Sequence, residues 1–197
     1  MKRINWGIIG LGNVANSHLK SFEKLENCKL KGIASKNLQK LENFKKKINI
    51  EKSFCFNNYE ELIKSSEIDI IYIALPNSYH YEWINKCIDY GKHILVEKPI
   101  TENFFQLEKI KNKLLEKNSK VLIYEGFMYK YYPQINKILD LINNNEIGEI
   151  TKIISSFGVN ILTKRLHHSF LDSCKFDITK SSIYIINIHS TLSILLF

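Results

Sequence analysis

The sequence contains no closely spaced pair of cysteines. Its four cysteines stand far apart: Cys28, Cys55, Cys87 and Cys174. A CxxC redox or metal motif is therefore excluded, and we predict no metal. Reduced thiols in the cytoplasm fit this cysteine usage best.

The sequence predicts neither a signal peptide nor an apolar segment long enough to span a membrane. Met1, Lys2 and Arg3 lead directly into a strand pattern, so we expect no signal peptide. The apolar tail Ile183–Phe197 lacks charge but is shorter than the ~20 residues that a membrane span needs. We predict no membrane partner, and a buried or partner-seeking helix for the tail.

The basic charge has no accompanying stripe of aromatic residues. The net charge is +8, with 45% hydrophobic and 24% charged residues, values typical of a globular protein. The lysines are scattered over predicted helix faces, for example within 36–47 and 109–120. Without a nucleic-acid motif we predict no nucleic-acid partner.

Apolar runs alternate with helical periodicity up to Gly148. The runs predict strands at Ile4–Gly10, Cys28–Ala34, Ser53–Phe56, Ile68–Ala74, His93–Val96 and Lys120–Tyr124. The periodicity predicts helices at Val14–Leu25, Asn37–Ile48, Tyr59–Ser65, Tyr79–Tyr90, Asn103–Lys117 and Pro133–Asn145. This alternation is typical of an α/β fold with a doubly wound, parallel Rossmann sheet.

The pattern changes after Gly148. Residues 149–161 predict a longer, half-alternating strand, and residues 162–180 show little periodicity. We expect a dinucleotide-binding domain over residues 1–124. Residues 125–197 are expected to open a second α+β domain that is incomplete, or truncated, because its remaining strands do not follow.

A glycine motif follows the first predicted strand. Gly10, Gly12 and Ala15 form a G-x-G-x-x-A, with Asn13 and Val14 between them. The first glycine permits a tight turn, the second lets the backbone approach a pyrophosphate, and the alanine lets the helix pack closely. Its place between strand and helix predicts a dinucleotide site, and the alternative is a tight turn without a ligand.

The end of the second strand lacks the carboxylate that would bind the 2′-hydroxyl of NAD. Ser35 and Lys36 stand there instead. A hydroxyl and an ammonium suit a 2′-phosphate, so we predict NADP in preference to NAD. Alternatively, Lys36 starts the next helix in solvent.

A lysine follows the fifth strand. Glu97, Lys98 and Pro99 lie at a carboxyl end, where open α/β sheets bind ligands. A lysine near a nicotinamide, with its pKa lowered by a cation and partial burial, can take the proton of an alcohol. A cis bond before Pro99 would aim it inward. By itself, E-K-P is a common surface triplet.

Three segments together resemble the Gfo/Idh/MocA oxidoreductases. They are residues 7–18, residues 74–100 and "EGFMYKYYPQ" at 125–134, within a likeness that covers residues 4 to about 160. The last is similar to the branch with dimeric dihydrodiol dehydrogenase and xylose dehydrogenase. The resemblance implies hydride transfer between nicotinamide and a secondary alcohol or carbonyl of a sugar-like substrate.

The resemblance also implies roles for single residues. Lys98 corresponds to the catalytic or substrate-orienting lysine. The positions expected along the cofactor and the nicotinamide wall are Leu75, Pro76, Asn77, His80, Glu97, Glu125 and Tyr129. Alternatively, His80 packs at a helix cap, and the tyrosines at 129, 131 and 132 form a core cluster.

The sequence departs from the family after residue 180. His189 aligns with the family histidine and is predicted to be catalytic, but Ile185 stands at the aspartate and Asn187 at the glycine. The family's large sheet, which walls the substrate and builds the oligomer, does not follow. A homo-oligomer is one expectation, and a non-catalytic dinucleotide-binding module or binding partner of a full-length relative is the alternative function.

Overall fold

The computed structural model describes residues 3–48 and 50–152. Six strands form one sheet: β1 Ile4–Ile9, β2 Cys28–Ala34, β3 Cys55–Phe56, β4 Ile70–Ile73, β5 His93–Val96 and β6 Ile123–Glu125. All pairs are parallel, in the order β3-β2-β1-β4-β5-β6. The predicted Rossmann sheet is confirmed.

In the described part of the chain, six helices accompany the strands. They are α1 Asn13–Glu23, α2 Leu38–Lys45, α3 Tyr59–Lys64, α4 His80–Asp89, α5 Phe104–Glu116 and α6 Pro133–Asn143. Short 3₁₀ turns occupy Lys52–Phe54, Asn77–Tyr79 and Met128–Tyr131. The chain divides into two compact units between Tyr132 and Pro133.

Asparagines begin three of the helices. The Asn37, Asn58 and Asn103 side chains accept hydrogen bonds from free backbone N–H groups at the starts of α2, α3 and α5. Asparagine is a preferred residue at this position because its oxygen satisfies an otherwise unpaired donor. The C-terminal end of α4 is followed by Gly91, which adopts a left-handed conformation with φ of 66°, as glycines that end helices commonly do.

Apolar side chains cover both faces of the sheet. One face packs against α3, α4 and α5 through residues that include Ile71, Ile73, Trp83 and Ile84. The other packs against α1 and α2 through residues that include Ile8, Ile33, Leu19 and Phe44. This double cover explains the continuous apolar run of β1, whose Ile8 and Ile9 are buried on opposite faces of the sheet.

The structure shortens several predicted strands. The third is Cys55–Phe56 rather than Ser53–Phe56, because residues 53 and 54 lie in a 3₁₀ turn, and the fourth is Ile70–Ile73 rather than Ile68–Ala74. The sixth begins at Ile123 rather than Lys120 and ends at Glu125, because it pairs only where β5 offers partners, from Ile94↔Ile123 to Val96↔Glu125. Residues 149–152 of the predicted strand 149–161 are not in a strand. The remainder of that prediction lies outside the described residues.

Candidate active site

The glycine turn is shaped by close packing at Gly10. Gly10 has a φ of 88°, and a Cβ there would collide with the carbonyl oxygen of Ala74. This backbone conformation strains every residue with a side chain. The turn therefore requires glycine at position 10 whether or not a ligand binds.

The start of α1 is open. Gly12 caps the helix without a side-chain hydrogen bond, and a Cβ there would meet nothing within 4 Å. Asn13 and Val14 are exposed, whereas Ala15 is buried against the sheet. The first N–H groups of a helix lack intrahelical partners and carry positive potential. This open helix start leaves room beside Gly12 for the predicted pyrophosphate, whose binding there stays a prediction.

Ser35 and Lys36 lie at the end of β2, before α2. Ser35 is buried, and its hydroxyl oxygen accepts a hydrogen bond from the N–H of Asn37 at 3.1 Å. Lys36 is exposed, with its Nζ 5.6 Å from the ring centroid of Tyr59. Asn37 is the cap of α2, so Lys36 precedes the helix rather than starting it. The hydroxyl can still donate its own hydrogen.

The side chains of Tyr72, Glu125 and His80 hold the loop that carries Lys98. The Glu97 Oε1 accepts a hydrogen bond from the hydroxyl of Tyr72 at 2.5 Å. The N–H of Ile100 donates to Glu125 Oε1 at 2.9 Å. The Lys98–Pro99 peptide bond is cis, and Lys98 is exposed. The partial burial expected for this lysine is therefore not supplied by the described residues.

His80 is the third of these side chains. It is 0% exposed, and its Nδ1 lies 2.8 Å from the carbonyl oxygen of Pro99. Its Nε2 lies 2.9 Å from the carbonyl oxygen of Leu75. Its surroundings agree with the packing alternative, and the ring joins two predicted site loops.

An apolar groove runs along one sheet face towards this loop. Its volume is about 600 Å³, and its walls include Trp6, Tyr72, Leu95 and Tyr124, with Glu97 at one end. Burial raises the pKa of Tyr72, and the hydrogen bond to Glu97 adds to the effect. Tyr72 is therefore a neutral donor at physiological pH.

The fold gathers most of the predicted residues at one edge. The glycine turn, Ser35, Lys36, the 75–77 loop, Glu97 and Lys98 all follow carboxyl ends of strands, and Glu125 ends β6. Their roles at the site stay predictions. His189 lies outside the described residues. Tyr129, Tyr131 and Tyr132 are 38%, 61% and 38% exposed, values that do not fit a buried core cluster.

Sequence reasoning missed Tyr72. It is the one residue with a polar side-chain group in the run "IIYI" of β4. A buried hydroxyl needs a hydrogen-bond partner, so that position was the available signal. Which carboxylate it would meet depends on the pairing of β4 with β5, which the sequence does not state.

The described residues offer neither a membrane-spanning helix nor a cluster of metal ligands. No helix in residues 3–48 or 50–152 is long and apolar enough to cross a membrane. Within the same ranges, no group of three His, Cys, Asp or Glu residues could hold a metal ion.

Comparison with known proteins agrees with this geometry. Residues 4–125 match the Gfo/Idh/MocA family, described as an oxidoreductase family with an NAD-binding Rossmann fold. Trans-1,2-dihydrobenzene-1,2-diol dehydrogenase of Xenopus tropicalis is 31% identical over 158 residues, which are 79% of this chain and 47% of that protein. Glucose-6-phosphate 3-dehydrogenase of Bacillus subtilis is 31% identical over 189 residues, which are 96% of this chain and 51% of that protein.

A solved structure shares the fold. The 3-ketoreductase KijD10 of Actinomadura kijaniata, in complex with NADP, superposes with a TM-score of 0.66 at 29% identity. The match covers 76% of this chain and 46% of that one. The chain thus spans about half the length of the curated relatives it matches. On the match over residues 4–125, the chain belongs to the Gfo/Idh/MocA oxidoreductase family, with its NAD-binding Rossmann fold.

Proposed function

We propose that the chain binds NADP(H) at the carboxyl edge of its sheet and serves an oxidoreductase that acts on a sugar-like secondary alcohol or carbonyl. The observation that supports this most strongly is the open start of α1 at Gly12, on the same edge as Lys98. Anions bind at such helix starts, and open α/β sheets bind ligands at this edge.

NADP is preferred over NAD because of the residues after β2. Lys36 is exposed, and Ser35 has a hydroxyl hydrogen to donate. Both groups favour a 2′-phosphate, and neither replaces the carboxylate that binds a 2′-hydroxyl. The related KijD10 was solved with NADP.

In the proposed chemistry, Lys98 moves a proton. The bound nicotinamide supplies or accepts the hydride at its C4. Lys98 Nζ takes the proton of the substrate hydroxyl during oxidation and returns it to the carbonyl oxygen during reduction. His189 is the proposed helper. Because Lys98 is exposed, it can take the proton only when bound ligand or further protein covers its side chain.

A ring carbon that bears a hydroxyl is the proposed substrate class. The relatives are named for a cyclic trans-diol and for position 3 of glucose 6-phosphate. We place the protein in the cytoplasm, and a homo-oligomer stays a prediction.

The test is a thermal-shift titration of the purified chain with NADPH and with NADH. At a hundredfold excess over the dissociation constant, binding should add about 2.7 kcal/mol to the free energy of unfolding. We expect the larger shift with NADPH. A cooperative transition that responds to neither nucleotide would contradict the proposal.

The lysine has its own test. Lys98→Met should abolish turnover of a ring alcohol while the dissociation constant for NADPH stays within about threefold of wild type, since an exposed lysine contributes to chemistry rather than to the fold. Turnover that survives the substitution would show that another group moves the proton.

The second candidate is a dinucleotide-binding module without catalysis. Ile185, at the position of the family aspartate, favours it because an isoleucine cannot move a proton or orient a histidine. Binding of NADPH without hydride transfer to any of a panel of ring alcohols and ketones would select it.

A further inference from the structure

Backbone contacts tie the ends of neighbouring strands together along the carboxyl edge. The N–H of Ala74 donates to the carbonyl of Ile9 at 2.9 Å, directly before Gly10. The N–H of Gly126 donates to the carbonyl of Val96 at 2.7 Å, directly before Glu97. These bonds fix the strand ends but do not reach residues 98–101.

Side chains hold the lysine loop itself. Ile100 N–H is held by the carboxylate of Glu125 and Pro99 C=O by the ring of His80, at 2.9 Å and 2.8 Å. Lys98 precedes both residues, and its own side chain extends into solvent. The direction of Lys98 is therefore set by its neighbours in the loop.

His80 differs from Glu125 because it also contacts the loop expected along the cofactor. Its second ring nitrogen faces Leu75 C=O at 2.9 Å, and the ring is 0% exposed. Leu75 directly follows Ala74, whose carbonyl would collide with a side chain at position 10. One buried ring thereby connects the surroundings of the glycine turn to the lysine loop.

We propose that His80 is a positioning residue for Lys98, acting through its hydrogen bond to the carbonyl of Pro99. The inference rests on the proposed function, since that function makes Lys98 the group that moves the proton. The contact with Leu75 sets the distance between the lysine loop and the cofactor loop.

Two conservative variants separate the two contacts of His80. The amide nitrogen of asparagine stands as many bonds from Cα as Nδ1 of histidine, and that of glutamine as many as Nε2. A neutral imidazole donates to one of the two carbonyls, and only the doubly protonated ring donates to both. His80→Asn keeps a donor for Pro99 alone, and His80→Gln keeps one for Leu75 alone. His80→Phe keeps the ring volume and removes both ring nitrogens.

The first readout needs no cofactor. Hydrogen exchange of the Ile100 amide in the full chain reports how firmly the lysine loop is held. We expect at least tenfold faster exchange in His80→Phe and His80→Gln, and exchange within threefold of wild type in His80→Asn. Ile94, whose N–H donates to Leu122 C=O at 2.8 Å, is the internal reference.

The second readout is the protection of Lys98 by NADPH. Mass spectrometry follows modification of Lys98 by an amine reagent, with and without saturating NADPH. Wild type and His80→Asn should be protected at least tenfold. His80→Phe and His80→Gln should be protected less than threefold, with dissociation constants for NADPH within threefold of wild type. A merely structural role would not separate the asparagine from the glutamine variant.

A matched control uses a histidine at the other end of β5. His93 Nδ1 accepts a hydrogen bond from Leu122 N–H at 3.1 Å. His93→Gln should leave both readouts unchanged.

The outcomes distinguish the two proposals. Equal Ile100 exchange and equal Lys98 protection in the asparagine and glutamine variants overturn the positioning role, even if His80→Phe does not fold. Wild type that binds NADPH without protecting Lys98 overturns the role of the lysine in the proposed function. The exchange of Ile100 then still decides whether His80 holds the loop.

Discussion

The two halves of the carboxyl edge are held in different ways. The dinucleotide half consists of the Gly10–Ala15 turn with Ser35 and Lys36. Its shape comes from backbone conformation, a close approach at Gly10 and an uncapped helix start. The lysine half consists of residues 97–101 with Tyr72, His80 and Glu125, and side-chain hydrogen bonds hold it.

In each half, the residues that stabilise the fold differ from the residues that are left open to a ligand. In the dinucleotide half, one glycine serves the fold and the next leaves space for a ligand. In the lysine half, the holding groups are buried or half-buried while the lysine they surround is exposed. Substitutions can therefore test each half for what it contributes.

The largest effect is expected at Gly10. Gly10→Ala forces a side chain into a left-handed conformation and against the carbonyl of Ala74. The free energy of unfolding should fall by about 3 kcal/mol, from strain and overpacking together. Urea denaturation measures it.

Gly91→Ala is the control for this substitution. Gly91 has a φ of 66°, but a Cβ there meets nothing within 4 Å. The free energy of unfolding of Gly91→Ala should fall by only ~1–2 kcal/mol, which is the cost of a side chain in the left-handed conformation. Equal losses at positions 10 and 91 would show that close packing does not define the turn.

Gly12 should behave in the opposite way. Its φ of −91° suits alanine, and a Cβ enters open space. Gly12→Ala should keep the free energy of unfolding within about 1 kcal/mol of wild type. The dissociation constant for NADPH should rise about tenfold or more, because the new methyl group stands where the backbone approaches the pyrophosphate.

A fluorescence titration with NADPH measures the change at Gly12. Unchanged affinity would mean that the dinucleotide does not lie against this residue, and the comparison between Gly10 and Gly12 would then reduce to stability alone.

The two halves also differ in what the sequence could predict. The glycine turn was predictable because its signal is local, with strand, glycines and helix following one another within about fifteen residues. The contact of His80 with Pro99 was not predictable, because the two residues stand nineteen positions apart along the chain. The parallel pairing of β4 with β5 brings the two loops together, and the sequence does not give the hydrogen bonds that follow.

A smaller, selective effect is expected at Lys36. Lys36→Ala should raise the dissociation constant for NADPH about five- to tenfold and leave that for NADH within about twofold, since only NADPH carries the 2′-phosphate. The NADPH effect should shrink at high salt because the charge is exposed.

Lys40→Ala is the matched control, since Lys40 is another exposed lysine at the start of α2. A similar loss of affinity for both nucleotides in Lys36→Ala would assign Lys36 a general electrostatic role and remove the preference for NADP.

The smallest effect is expected at Tyr72, in the lysine half. Tyr72→Phe removes the hydrogen bond to Glu97 and should cost about 1 kcal/mol at neutral pH. Burial and the bond to Glu97 raise the pKa of Tyr72 above its usual value. Above about pH 10 the unfolded chain therefore loses this proton first, and the free energy of unfolding of wild type falls as pH rises.

The variant lacks this titration, so the stability difference between wild type and Tyr72→Phe should be constant below about pH 9 and shrink towards pH 11. Urea denaturation of both proteins across this range cancels the contributions of the other tyrosines and the lysines. A difference that stays constant to pH 11 would mean that the hydroxyl of Tyr72 titrates normally in the folded chain. The lysine half would then be held at this point by packing rather than by the hydrogen bond to Glu97.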